Sequence, residues 1–285
     1  LGGYGPPQYE ALVKEAIEYS PNTYIVAFYF GNDIADSYRY VYDLQYYEDM
    51  RSSTISESDH NEFVMMLDEF GLNAINGLYE DFTDSLYNPA YILSLFQYET
   101  SIGQLLWGNQ NPIEIQANDR QLIELTITLT QNHPKLLDYY YHDNMFTIFT
   151  PSYRFMVQNN KLLSIQEGQR LTDKFILRIK DQLSSKNIDL YFVLIPTKEY
   201  VYRDIVDERT LQNSAYSNLI EAEEEMRIWL TEYLNQKNIE YIDSSPCLES
   251  GIKEGENIYP RNTDGHPLPD GYRRIAECVA DYLNY

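Results

Sequence analysis

One stretch constrains this chain more than any other: Tyr24-Ile-Val-Ala-Phe-Tyr-Phe30, followed at once by Gly31-Asn32-Asp33. A run of β-branched and aromatic residues with a turn signal on each side reads as a buried strand of a parallel sheet. Open α/β sheets bind ligands at the carboxyl ends of their strands, so chemistry is expected just beyond Phe30. Gly31 permits a tight turn there, and Asn32 can present a side-chain N–H above the sheet. Taken alone, the tripeptide favours an ordinary Asn-Asp turn.

The flanking sequence builds on that strand. Gly2, Gly3 and Gly5 supply flexible backbone, and residues 8–20 set Tyr9, Leu12, Val13, Ala16 and Ile17 on one helix face before Pro21 ends it. Turn, helix and strand make the second half of a βαβ unit, whose first strand is expected ahead of Leu1. Residues 34–161 depart from a simple crossover. A tyrosine-rich start (Tyr38, Tyr40, Tyr42, Tyr46, Tyr47) and a polar stretch at 51–61 lead to helical patterns at 62–74 and 89–106. Residues 123–130 alternate like a strand, and 145–156 are aromatic and β-branched. This segment is expected to be an insertion forming a cap or side wall over the strand ends. Its tyrosines either pack a small core of their own or stack on sugar rings.

From Gln169 the α/β rhythm returns. Leu171, Phe175, Ile179 and Leu183 share a helix face, and residues 190–195 form a buried strand. Leu219, Met226, Leu230 and Tyr233 mark the next helix, residues 239–242 a short strand. A last helix is expected to bury Tyr272, Ile275, Ala276, Val279, Ala280 and Leu283.

With 44 acidic against 21 basic residues the net charge is −23, which repels phosphate backbones and anionic headgroups and excludes nucleic acid as a natural partner. No apolar run reaches the length of a membrane span. The two cysteines, Cys247 and Cys278, make neither a disulfide framework nor a metal site, and Cys278 reads as a small core residue. His60, His133 and His142 have no partner at metal-ligand spacing and read as solvated loop residues.

Three blocks, in order, carry a resemblance: the glycine turn Leu1-Gly-Gly-Tyr-Gly-Pro-Pro-Gln8, the strand end Gly31-Asn32-Asp33, and Asp264-Gly-His266 before the last helix. Together they resemble the SGNH (GDSL-like) hydrolase superfamily. The central Ile195-Pro-Thr-Lys-Glu-Tyr-Val-Tyr202 is similar to a segment of its polysaccharide O-acetyltransferase branch. The resemblance implies a partial doubly wound, flavodoxin-like, parallel three-layer α/β/α domain over residues 1–285, with 34–161 as an inserted cap. It implies His266 as general base, Asp264 as the acid that orients it, and Asn32 with Gly3 (Gly2 as the alternative) as oxyanion donors. It implies no metal or organic cofactor. The family's nucleophile stands in a Gly-Asp-Ser block, and no Gly-Asp-Ser occurs here. Where relatives carry His-Trp-Asn, this chain has His266-Pro-Leu268, with Pro267 and Pro269 stiffening the loop.

The expected chemistry is hydrolysis of an acyl ester on a small molecule or glycan, in a chain missing its serine-bearing strand. The alternatives are acetyl transfer to a cell-surface polysaccharide and a non-catalytic carbohydrate-binding or scaffold protein. Truncation would leave about three core parallel strands with residues 24–30 outermost, an edge prone to self-association. Asp33 and Asp36 are expected to shape the turn, Asp243 to cap a helix or turn, and Lys198, just after a strand end, to be a salt-bridged surface lysine, with a place facing the same cleft as the alternative.

Overall fold

A computed structural model describes residues 4–85, 119–142 and 145–283. Helix α1 (Pro6–Glu18) leads into strand β1 (Thr23–Tyr29) and helix α2 (Asp33–Tyr42). Pro6 and Pro7 occupy the first turn of α1, where no backbone N–H is needed. Helices α3 (Glu57–Phe70), α4 (Leu72–Ser85) and α5 (Asp119–Asn132) follow. An antiparallel hairpin, β2 (Asp138–His142) with β3 (Met145–Phe149), turns directly into the short helix α6 (Pro151–Met156). The second half is regular: α7 (Leu163–Ser184), β4 (Asp189–Ile195), α8 (Lys198–Tyr202), α9 (Ala215–Gln236), β5 (Glu240–Asp243), α10 (Ser245–Lys253) and α11 (Pro269–Leu283).

The main sheet is parallel, in the order β1-β4-β5, with Thr23 opposite Asp189 and Tyr191 opposite Glu240. This is the expected α/β architecture, and among the described residues β1 is outermost. One face buries Val26, Phe28, Phe192 and Leu194 beneath helices that contribute Ile34, Ile176 and Leu230. The other buries Val193, Ile195 and Ile242 against Leu248, Ile252 and Ile275. Beyond Val193 that second face is open: Ile25 is 45% exposed. With Ala27, Val193, Ile275, Ala276 and Val279 it lines an apolar groove of about 410 Å³. Two polar groups on the side of β1 away from β4 are met by side chains. The Tyr29 N–H donates to Asp33 Oδ2 at 3.0 Å, and the Ala27 carbonyl accepts from the Tyr9 hydroxyl at 2.9 Å.

Four sequence expectations need correction. Residues 123–130 belong to helix α5, not a strand. Their alternation also places Ile123, Thr126 and Thr130 at helical spacing, and all three are buried. The Thr128 and Thr130 hydroxyls satisfy themselves on helix carbonyls of Glu124 and Ile127. Helix α11 buries Ile275, but Tyr272 is 51% exposed and Ala276 is exposed, because the helix lies at the border of the open groove. Cys247 and Cys278 form a disulfide that ties α10 to α11. Two cysteines 31 residues apart carry no local signal; the packing of the two helices brings them together. Two histidines are not loop residues: His60 lies in α3, with Nδ1 3.2 Å from the Tyr38 hydroxyl and Nε2 3.7 Å from Asp43, and His142 ends strand β2, opposite Met145. The helix expected at 89–106 lies outside the described residues. No helix among the described residues is long and apolar enough to cross a membrane.

Candidate active site

The turn after β1 is held by its own neighbours. Asp33 begins α2 and folds back, so its Oδ2 accepts the Tyr29 N–H and lies 3.0 Å from the Tyr9 hydroxyl. The Asp33 carboxyl is fully enclosed, and burial pushes it well above the usual carboxylate range. Asn32 donates its side-chain amide to Asp36 Oδ2 at 2.5 Å. Both aspartates therefore shape the turn, as expected. Gly31 must be glycine: a Cβ there would meet the Tyr29 ring at 2.3 Å. The glycine turn approaches from below, where a Cβ on Gly5 would lie 3.2 Å from that of Asp36. Gly2 and Gly3 are outside the described residues.

The second loop carries the expected pair, Asp264 and His266. Asp264 Oδ1 accepts both the His266 backbone N–H, at 3.0 Å, and the imidazole Nδ1, at 2.6 Å. That bond fixes the ring with Nε2 as its available nitrogen. Burial raises the Asp264 carboxyl, but the His266 hydrogen bonds and the Lys198 charge outweigh it and hold it below the ordinary value. The imidazole is more than half exposed.

Residues of the β1 end place this loop beside the first turn. The Tyr29 ring lies 5.6 Å from the His266 ring, centroid to centroid, and its hydroxyl donates to the Gly265 carbonyl at 3.3 Å. Burial pushes the phenol far above its usual range, so it stays a donor. Arg154, from α6, stacks over Tyr29 and donates Nη1 to the Gly31 carbonyl at 2.8 Å. Thus the Asp264/His266 loop and the Gly31-Asn32 turn share the carboxyl edge of β1, joined through Tyr29 and Arg154.

Lys198 corrects a further expectation. It is 1% exposed and donates to the carbonyls of Asn262, at 2.8 Å, and Asp264, at 3.1 Å. Its position is set from behind. Thr197 caps α8, and the Glu223 carboxylate of α9 accepts the Thr197 N–H at 2.9 Å and its hydroxyl at 2.5 Å. Burial pushes Glu223 up to about 7, against the bonds from Thr197 and Gln158 and the nearby Arg227 charge. The Ile195-to-Tyr202 segment is therefore the underside of the site loop. Asp243 behaves as expected, accepting the N–H and hydroxyl of Ser245 at the start of α10.

Sequence reasoning missed Tyr29 and Arg154 as residues of the site, and set a place at the cleft for Lys198 behind a surface one. Lys198 had a signal, its position just beyond a strand end; Arg154, in a short helix far from either motif, had none. No group of three or more His, Cys, Asp or Glu among the described residues is placed to hold a metal ion. Compared with protein-family models, curated proteins and solved structures, the chain matches none.

Proposed function

We propose that this chain carries the base and oxyanion parts of an SGNH-type serine ester hydrolase. The observation that carries the reading is the Asp264/His266 pair, closed at 2.6 Å and seated through Tyr29 beside the turn that bears Asn32. In such an enzyme His266 Nε2 takes the serine hydroxyl proton while Asp264 orients the ring and stabilises the imidazolium. The serine oxygen bonds the ester carbonyl carbon, and the carbonyl oxygen becomes an oxyanion that Asn32 meets with its amide N–H. Collapse expels the alcohol, which takes the proton from His266. Water, deprotonated by the same imidazole, then releases the acid. The substrate class is an acyl ester on a small molecule or glycan.

The reading places the nucleophile on a strand beside β1, since no Gly-Asp-Ser occurs in these 285 residues. It follows that the 285-residue chain hydrolyses p-nitrophenyl acetate no faster than its His266→Ala variant. Turnover that depends on His266 would mean that a serine within this sequence is the nucleophile, and the assignment of roles here would fail.

A further inference from the structure

We infer that Arg154 is a positioning residue that locks the Asp264/His266 loop against the Gly31-Asn32 turn. The inference rests on the reading of His266 as the base, and adds a residue that neither sequence motif contains. Arg154 is only 4% exposed, and among the described residues no carboxylate lies within ion-pair distance of it. Its Nε is buried without a hydrogen-bond partner. Glu199 and Asp264 favour its charge only from beyond ion-pair distance, and a buried guanidinium with no direct ion pair is a costly space-filler where an apolar side chain would serve.

What the guanidinium does instead is bridge. One end donates to the carbonyl of Gly31, the residue before Asn32. Its plane covers the rings of Tyr29 and Tyr153 at 5.4 and 5.0 Å. The other end lies directly under Gly265, between Asp264 and His266: a Cβ there would sit 2.5 Å from Arg154 Nη2 and 2.5 Å from the Tyr29 hydroxyl. Gly265 is thus the one residue type that lets the loop settle onto the guanidinium and phenol. A planar fork can reach the carbonyl and support the loop at once; the ammonium of a lysine is a single point on a flexible stem.

The test reads the imidazole itself and needs no nucleophile. Long-range ¹⁵N NMR reports which ring nitrogen of His266 carries the proton, with Asp264→Asn as the control that removes the orienting carboxylate. The wild-type chain should show mainly the Nδ1–H tautomer and a Tyr29–His266 nuclear Overhauser effect. Both Arg154→Met and Arg154→Lys should turn the Nδ1–H tautomer into the minor form and abolish that cross-peak, with the far-UV circular dichroism unchanged. Gly265→Ala, which disturbs the same contact from the loop side, should do likewise. An unchanged tautomer and cross-peak in the folded Arg154 variants would overturn the inference. Should those variants fail to fold, an unchanged Gly265→Ala would overturn it just as well. Either result leaves the hydrolase reading standing, because the control still reports the Asp264/His266 pair.

Discussion

The two loops of the candidate site are held in opposite ways. The turn after β1 takes most of its hold from close by: Asp33 bonds Tyr29, four residues back, and Asn32 bonds Asp36, four residues on, while Tyr9 and Arg154 add one distant bond each. Within itself the loop of Asp264 and His266 has the Asp-His bonds and the Asp264 N–H donated to Asn262 Oδ1 at 2.9 Å. Everything that fixes its place comes from afar: Tyr29 of β1, Lys198 of α8, Arg154 of α6. The disulfide between α10 and α11 closes the chain around it. The first loop should therefore tolerate change at a distance, and the second should not.

The largest effect is expected from the disulfide. Replacing Cys247 and Cys278 together by alanine opens a loop of 31 residues, for a loss of about 3–4 kcal/mol in chemical denaturation. Histidine exchange and dynamics at 264–266 should rise while amide protection at 29–33 does not. Equal loosening of both loops would break the contrast.

Glu223 acts on the second loop through Thr197 and Lys198, and gives it a pH signature. The native carboxyl is raised by burial to about 7, against 4.5 for an ordinary glutamate. Between those values the native state holds a proton that the unfolded state has released. Stability therefore falls as pH rises through that window and is level above it, with a total near 3 kcal/mol. Glu223→Gln should remove its own share of this slope in urea titrations at pH 5, 6, 7 and 8. Asp173, also raised by burial to about 7, contributes its own share in the same window and should persist in the variant.

Lys198→Met leaves the Asn262 and Asp264 carbonyls without their donor and should cost about 2 kcal/mol. It should also broaden the His266 resonances while leaving those of Asn32 sharp. The smallest effect belongs to the turn after β1. Asp33→Asn keeps an acceptor for the Tyr29 N–H within the same volume, so its melting should shift by less than about 1 kcal/mol. A larger loss from Asp33→Asn than from Lys198→Met would invert the comparison.

This contrast also explains how much of the molecule the sequence disclosed. The parallel sheet was legible because residues 24–30 and 190–195 are continuous apolar runs, and α7 because Leu171, Phe175, Ile179 and Leu183 recur at helical spacing. The turn role of Asp33 and the cap of Asp243 were legible because their main partners lie within four residues. Residues 123–130 were misread because threonine suits either a strand or a helix whose carbonyls its hydroxyl can reach. Lys198, Arg154 and the disulfide depend on tertiary neighbours 31 to more than 100 residues away, which no local pattern encodes. The exposed Tyr272 and Ala276 belong to the same class, since their surroundings are set by what covers the β1 side of the sheet.

The central claim, that His266 and Asn32 serve a serine delivered beside β1, has one direct measurement. A strand ending in Gly-Asp-Ser is fused ahead of Leu1, and initial rates of p-nitrophenyl acetate hydrolysis are compared for the fused chain, its His266→Ala and Asn32→Ala variants, and the unfused chain. The account predicts hydrolysis in the fused chain that falls to the unfused background with His266→Ala and by about 100-fold in kcat with Asn32→Ala. Hydrolysis that appears with the added serine yet survives both substitutions would contradict it.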